Sequence, residues 1–279
     1  MVLEAKKLTC KKHFNNLSFT VNEGEIVNIL SADTKKSDVL LKALIGLQSY
    51  EGSIKLFEHE AKKNLTKAKE FIGYTSSLKY KVNHKVIDYL NLTSKFYKAD
   101  YSNRINELCA KFMISASKKM KELNPHEEKI VSIIKAILHN PKLVIFNNNL
   151  DSLDSKAKTA LEDEIVKMKA LGSSFVIASQ SQALNIVDRV YILNDSLKEF
   201  SEIKAFYKIS ISYTNEFSSS ALKGITLLNL SKNDGVISFV INSKLEDVMK
   251  YIISLKPKFV EISRPYIGEI FSESLPTVQ

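Results

Sequence analysis

Glycine is scarce in this chain: 8 in 279 residues, about 3% where a soluble protein carries roughly 7%. So little glycine leaves poor material for a glycine-rich phosphate loop, whose backbone turns are crowded by side chains. Cysteine is scarcer. The two present, Cys10 and Cys109, form no CxxC and no metal-ligand spacing, which excludes a disulfide framework and reads as buried thiols in a reducing cytosol. No run of 18 or more apolar residues occurs, which excludes a membrane-spanning helix. The opening MVLEAKKLTCKK lacks the apolar core of a secretion signal, so a cytoplasmic chain is expected. His59, His84, His126 and His139 show no HxxxH ligand spacing, and no metal site is expected.

What is present suits one large domain, or one domain with a smaller appendage, at 44% hydrophobic and 25% charged. Forty Lys+Arg against 31 Asp+Glu give a net charge of +9. The lysines fall in short clusters such as Lys35-Lys36 and Lys118-Lys119, with no basic stripe interleaved with aromatics. That pattern reads as a solvated lysine surface, and no nucleic-acid partner is expected.

The first thirty residues read as strands: Leu17 to Val21 alternates, and Glu25 to Leu30 is a largely apolar run entered through Asn22-Glu23-Gly24. After a polar loop, Val39 to Ile45 reads as a helix ended by Gly46. Ser53 to Phe57 and Phe71 to Tyr74 read as strands, and from about 85 to 139 the apolar period is helical. Three short apolar runs follow at Leu143 to Phe146, Phe175 to Ala178 and Val190 to Leu193, with a helix from Ser155 to Leu171 between the first two. Alternating strand and helix predicts an α/β fold with a mostly parallel sheet. Beyond about Phe206, three short strands, an amphipathic helix from Leu245 to Leu255 and a last strand at Phe259 to Ile262 predict a small α+β appendage.

The text AILHNPKLVIFNNNLDSLD, from Ala136 to Asp154, resembles the core of an ABC transporter ATP-binding subunit, where a helix runs into the Walker B strand and on to the D-loop. Leu17 to Ile26, Leu40 to Leu47, Glu51-Gly52-Ser53-Ile54 and Asp188 to Leu193 are similar to further stretches of that family. The end, Pro265 to Phe271, is similar to the tail of bacterial exporters and immunity transporters. The resemblance implies a P-loop NTPase-like nucleotide-binding domain at 1–204 with an antiparallel β subdomain and a helical subdomain at about 80–140. It places a small C-terminal α+β domain at 205–279.

Where the family does chemistry, the residues differ. A phosphate loop needs G-x-x-x-x-G-K-[ST]. This chain has Ser31-Ala32-Asp33-Thr34-Lys35-Lys36-Ser37-Asp38. Aligned without a gap, Ser37 takes the lysine position, Asp38 the Mg²⁺-hydroxyl position, and Ser31, Thr34 and Lys36 replace the glycines. A slipped register offers Lys36-Ser37 as the K-[ST] pair but restores no glycine. The Mg²⁺-holding Asp and the catalytic Glu fall on Asn147 and Asn148, which carry no charge and take no proton. The signature sequence becomes Leu123-Asn124-Pro125-His126-Glu127: a good helix start with an acidic first turn that opposes phosphate. The Q-loop position is Ser77 and the switch position Gln180. Ser152-Leu153-Asp154, the D-loop positions, survive and imply a retained subunit contact; a plain N-cap by Asp154 or Ser155 is the other reading.

The expectation is a pseudo-ATPase subunit without catalytic residues and without bound ATP or Mg²⁺. It would be peripheral on the inner face of the cell membrane, docked on a permease and paired with a second ATPase subunit or with itself. Two rivals remain: an atypical active ATPase using Lys35 or Lys36, and a basic adaptor with no transport role.

Overall fold

The computed structural model describes all residues except 76–81, 98, 149, 151, 181–183, 185, 200–205, 213–216, 219–221, 223–224, 226, 234, 264 and 266–279, and the side chain of Asn64. The chain forms two compact units, Met1–Ser179 with Leu184–Glu199, and Gln180–Ala183 with Phe200–Gln279.

The first unit begins with β1 (Leu3–Cys10), β2 (Phe14–Val21), β3 (Ile26–Leu30), α1 (Thr34–Leu44), β4 (Glu51–Leu56), β5 (His59–Glu60), α2 (Ala61–Lys69) and β6 (Ile72–Tyr74). It continues through α3 (Val86–Ser94), α4 (Ser102–Lys111), α5 (Pro125–Ile137), β7 (Leu143–Asn147), α6 (Ser155–Ala170), β8 (Ser174–Ser179), β9 (Arg189–Leu193) and β10 (Leu197–Glu199). One sheet is antiparallel in the order β2-β1-β4-β5. The other runs β10-β9-β3-β8-β7-β6, parallel apart from the β10–β9 edge. Sequence texture matches layer position. In β2, Leu17, Phe19 and Val21 alternate into the core, whereas β3, β7 and β8 are buried along their whole length, as strands covered on both faces must be. The functional positions sit at the C-terminal ends of β3 and β7, where an open parallel sheet exposes loops for binding.

The helical segment packs through Val86 and Leu90, Ile105 and Leu108, and Ile130, Ile133, Ile134 and Ile137, all buried. Each such side chain contributes about 2 kcal/mol of apolar burial. Glu164 on α6, 1% exposed, joins the partly exposed Arg104 and Lys111 of α4, so α4 and α6 are tied by a three-charge cluster around one buried carboxylate. Gly73 lets β6 lie against α5: a Cβ there would sit 1.9 Å from the carbonyl oxygen of Ala136. Gly46 takes φ +70° after α1, where a Cβ would also strike Leu65.

The second unit has β11 (Phe206–Ser212), β12 (Leu227–Asn233), β13 (Val236–Asn242), α7 (Leu245–Ser254) and β14 (Val260–Ser263). Its antiparallel sheet is ordered β12-β13-β11-β14, and Ile209, Ile211, Phe239 and Ile241 pack with Val248 and Ile252 of α7. No helix among the described residues is long and apolar enough to cross a membrane.

Two elements depart from the sequence reading. Helix α1 starts at Thr34, five residues before the expected Val39. Ser37 is a buried position on the same stripe as Leu40, Leu41 and Leu44, and a polar side chain there hides the helical period. Helix α2 buries only Ala61, Ala68 and part of Leu65 among its lysines, and a stripe of two alanines and one leucine is too slight to announce a helix.

Candidate functional site

The loop between β3 and α1 is held from inside. Ser31 is buried, with Oγ 3.0 Å from the carbonyl oxygens of Asp33 and Leu193. Asp33 is the N-cap of α1, its Oδ1 accepting from Lys35 N at 2.8 Å and Lys36 N at 3.3 Å. The Ser37 N–H donates to the Asp33 carbonyl at 3.3 Å. The first N–H groups of α1 therefore serve the chain's own oxygens, Lys35 and Lys36 the Asp33 carboxylate and Ser37 the Asp33 carbonyl. Lys36 points elsewhere, its Nζ 2.6 Å from Asp195 Oδ1, and this pairing holds the Asp195 carboxyl below its usual range. Lys35 is exposed, and so is Thr34, at the first helical position.

Behind the loop, Asp38 meets Asn147. The Asn147 amide donates to Asp38 Oδ1 at 2.7 Å and lies 3.0 Å from the Tyr74 hydroxyl, while Lys42 Nζ donates to Asp38 Oδ2 at 2.6 Å. Burial pushes the Tyr74 hydroxyl up, against the lowering effect of its bond to Asn147, so it stays a neutral phenol. Asn148 takes a left-handed backbone at φ 49° and donates to Ser37 Oγ at 3.1 Å and to Asn147 Oδ1 at 2.9 Å. The Asn147 backbone N–H donates to Thr75 Oγ1 at 2.8 Å. In this set of amides, hydroxyls, one ammonium and one carboxylate, the only anionic oxygens are those of Asp38, both engaged, while Asn148 Oδ1 is buried without a partner among the described residues.

Those residues do not fit a magnesium nucleotide. A hard dication asks for free anionic oxygens. Here both oxygens of Asp38 are donated to, by an amide and by an ammonium, and Asn147 turns its N–H₂ toward the place where a metal-holding carboxylate would point. Among the described residues no group of three or more His, Cys, Asp or Glu is arranged to hold a metal.

The second cluster lies at the start of α5. Asn124 and Glu127 form a capping box, with Pro125 at the first helical turn. Lys118 Nζ holds both Glu127 oxygens at 2.8 and 2.7 Å. Partial burial pushes the Glu127 carboxyl up, but Lys118 and the Asn124 N–H outweigh it and leave it below the usual carboxylate range. This helix end is also satisfied by its own acid. His126 Nε2 stands 3.4 Å from Asp154 Oδ2, and Asp154 caps α6 by accepting from Ala157 N at 2.7 Å. Lys129 bonds Ser152, and Leu153 is buried. The structure thus brings Asn124, Pro125 and His126 together with Ser152, Leu153 and Asp154, and Ser37 and Asp38 together with Asn147 and Asn148. Gln180 follows β8, is exposed and groups with the second unit. Ser77 lies outside the described residues, as does nearly all of the Pro265 to Phe271 tail.

Sequence reasoning missed Asp195, Lys42, Tyr74 and Lys118. Only Asp38–Lys42, spaced i,i+4 on one helix, was there to be found. It also missed a groove of about 620 Å³ beside α3 and α5, lined by Leu47, Tyr74, Tyr89, Leu92, Phe96 and Ala136, in which Phe96 is 83% exposed.

No family model matches the chain. It is 22% identical over 272 residues to the spermidine/putrescine import ATP-binding protein PotA of Thermotoga maritima, covering 89% of this chain and 73% of that protein. It is 26% identical over 215 residues to the ribose import ATP-binding protein RbsA of Caldanaerobacter subterraneus, covering 70% of this chain and 43% of that protein. The PotA of Escherichia coli K12 is 21% identical, and the chain spans 51% of its length. Among solved structures, an ATP-binding subunit of an ABC transporter superposes with TM-score 0.64 at 20% identity, over 73% of this chain and 92% of that one. A dimeric ATP-binding cassette in a post-hydrolysis state with ADP and Pi superposes with TM-score 0.62 at 18% identity, over 71% and 97%. The fold is that of an ABC-type nucleotide-binding domain, as the resemblance implied. The sequence relatives carry the same kind of ATP-binding subunit in their names.

Proposed function

We propose that this chain is a catalytically inactive ATP-binding-type subunit of an ABC transporter, a pseudo-ATPase that pairs with a second ATPase subunit and docks on a membrane permease. The observation that carries the reading is the Asp38 contact set. The one carboxylate near the metal position is held by the Asn147 amide and the Lys42 ammonium, and no acid stands at Asn148. Charge that would hold Mg²⁺ and activate water has been exchanged for internal hydrogen bonds. Pairing would use the face of Asn124, Pro125, His126 and Ser152 to Asp154, and the groove at Phe96 would receive a permease segment. The chain would then sit on the cytoplasmic face of the membrane. The relatives are named for import, so the exporter or immunity type suggested by the tail gains nothing from them; the permease that copurifies will set the direction.

Titration calorimetry of the purified chain with Mg-ATP tests the reading: no saturable heat is expected at millimolar nucleotide, and sub-millimolar affinity overturns it. An active ATPase built on Lys36 requires that ammonium to leave Asp195, and steady-state hydrolysis abolished by Lys36→Ala would establish that rival.

A further inference from the structure

A cap that satisfies a helix start is ordinary. At the start of α1 it falls where the fold would otherwise seat a phosphate. Asp33 Oδ1 accepts from Lys35 N and Lys36 N, at 2.8 and 3.3 Å, while the first turn of α1 carries no other acid. The lysine best placed to meet a phosphate, Lys36, is drawn to Asp195. The side chain of Asp195 is 96% exposed, so that pair is held weakly and Lys36 can swing away at little cost. Asp38, one turn along, is closed by Asn147 and Lys42. The residues therefore disagree with nucleotide as a resident ligand, and they disagree in a specific way: the Lys35 and Lys36 N–H groups and the Lys36 ammonium each already have an anion of the chain's own.

We propose that Asp33 is a tethered occupant of the phosphate seat, its carboxylate taking the two N–H groups that a phosphate oxygen would take and capping α1 without nucleotide. The inference rests on the pseudo-ATPase reading and adds its cause. An intramolecular carboxylate competes at high effective concentration, so a free anion finds the N–H groups taken. Loss of that one side chain should reopen them.

The test uses the full chain and pyrophosphate without metal, read at the amides of Lys35 and Lys36 by two-dimensional NMR. In the native protein these amides should not move. Asp33→Gly keeps an acceptable N-cap residue while deleting the carboxylate, so both amides should shift saturably, with affinity at least about tenfold above the native chain. Asp33→Asn caps as well as Asp and should stay silent, which separates occupancy of the N–H groups from charge repulsion. Adding Lys36→Ala to Asp33→Gly should weaken binding again. Asp33→Ala, read the same way, guards against a folding defect in the glycine variant, and the dispersion of each spectrum reports folding directly. Native amides that shift as readily as those of Asp33→Gly, silent Gly and Ala variants, or an Asn variant that binds like Gly would each overturn the proposal. Sub-millimolar Mg-ATP binding by the native chain would sink the functional reading itself, whereas silence in both native and folded variants sinks this inference alone.

Discussion

Asp38 and Asn147 meet across 2.7 Å, and which of the two carries the charge decides what the site tolerates. In the family the chain resembles, the strand supplies the carboxylate and the helix a hydroxyl; here the helix supplies the acid and the strand an amide. Asn147→Asp, a return toward the family residue, would set two carboxylates against the single Lys42 ammonium. It is expected to lower stability at pH 7 by about 2 kcal/mol and, on the proposed pseudo-ATPase reading, to produce no hydrolysis. One carboxyl of the pair would be raised above its unfolded value, so the loss appears as pH rises through that raised value and shrinks toward pH 5. Urea unfolding at both pH values measures this. Asn147→Asp with Asp38→Thr should recover native stability, and a single variant as stable as native at pH 7 would contradict the account. At this scale the sequence shows both residues and the i,i+4 partner Lys42, yet it does not show Asp195, 159 residues from Lys36. Nor does glycine scarcity show how turns are made: Phe57 and Glu58 take φ 51° and 69° in the two-residue hairpin between β4 and β5, a left-handed pair without glycine.

Three helices, α1, α5 and α6, begin on a side-chain cap, and this is where element-level reading succeeds and fails. The start of α5 at Asn124-Pro125 is legible because the capping signal is local. The start of α1 is not, because its first turn buries a serine rather than an apolar residue. A third helix end carries a titratable group. His139, just past α5, stacks on Tyr97 with ring centres 3.7 Å apart, and burial, opposed by the backbone of Ile72, pushes its pKa down to about 4. Unfolded, the ring titrates near 6.5, so the neutral form's contribution is complete above that value and is lost as pH falls toward 4. The native chain should lose up to about 3 kcal/mol more over that window than His139→Phe, which keeps the stack without the proton. Guanidinium unfolding of both proteins between pH 7 and 4.5 would read it; parallel curves would show that His139 has no such role.

For the molecule as a whole, docking is the property that composition leaves open. A charge of +9 spread in short lysine clusters names no partner. The groove of about 620 Å³ suits an apolar partner segment as proposed, since Phe96 and Leu92, 83% and 45% exposed, line it together with Gly73 and Ala136. Phe96→Glu should change unfolding stability by less than about 0.5 kcal/mol, because little of the ring is buried, yet abolish recovery of the chain with the proposed permease in detergent. Unchanged recovery would move the docking surface elsewhere. By itself the sequence determined the strand and helix alternation and the absence of charge at Asn147 and Asn148, because periodicity and residue chemistry are local, and the particular fold was legible only through its resemblance to a known family. Only the tertiary structure decided that Asp33 fills the start of α1, that Asp195 holds Lys36 and that Asn147 closes on Asp38. Those contacts join β3, β7 and the loops at one end of the parallel sheet, and such proximity follows from the way strands distant in the chain lie side by side.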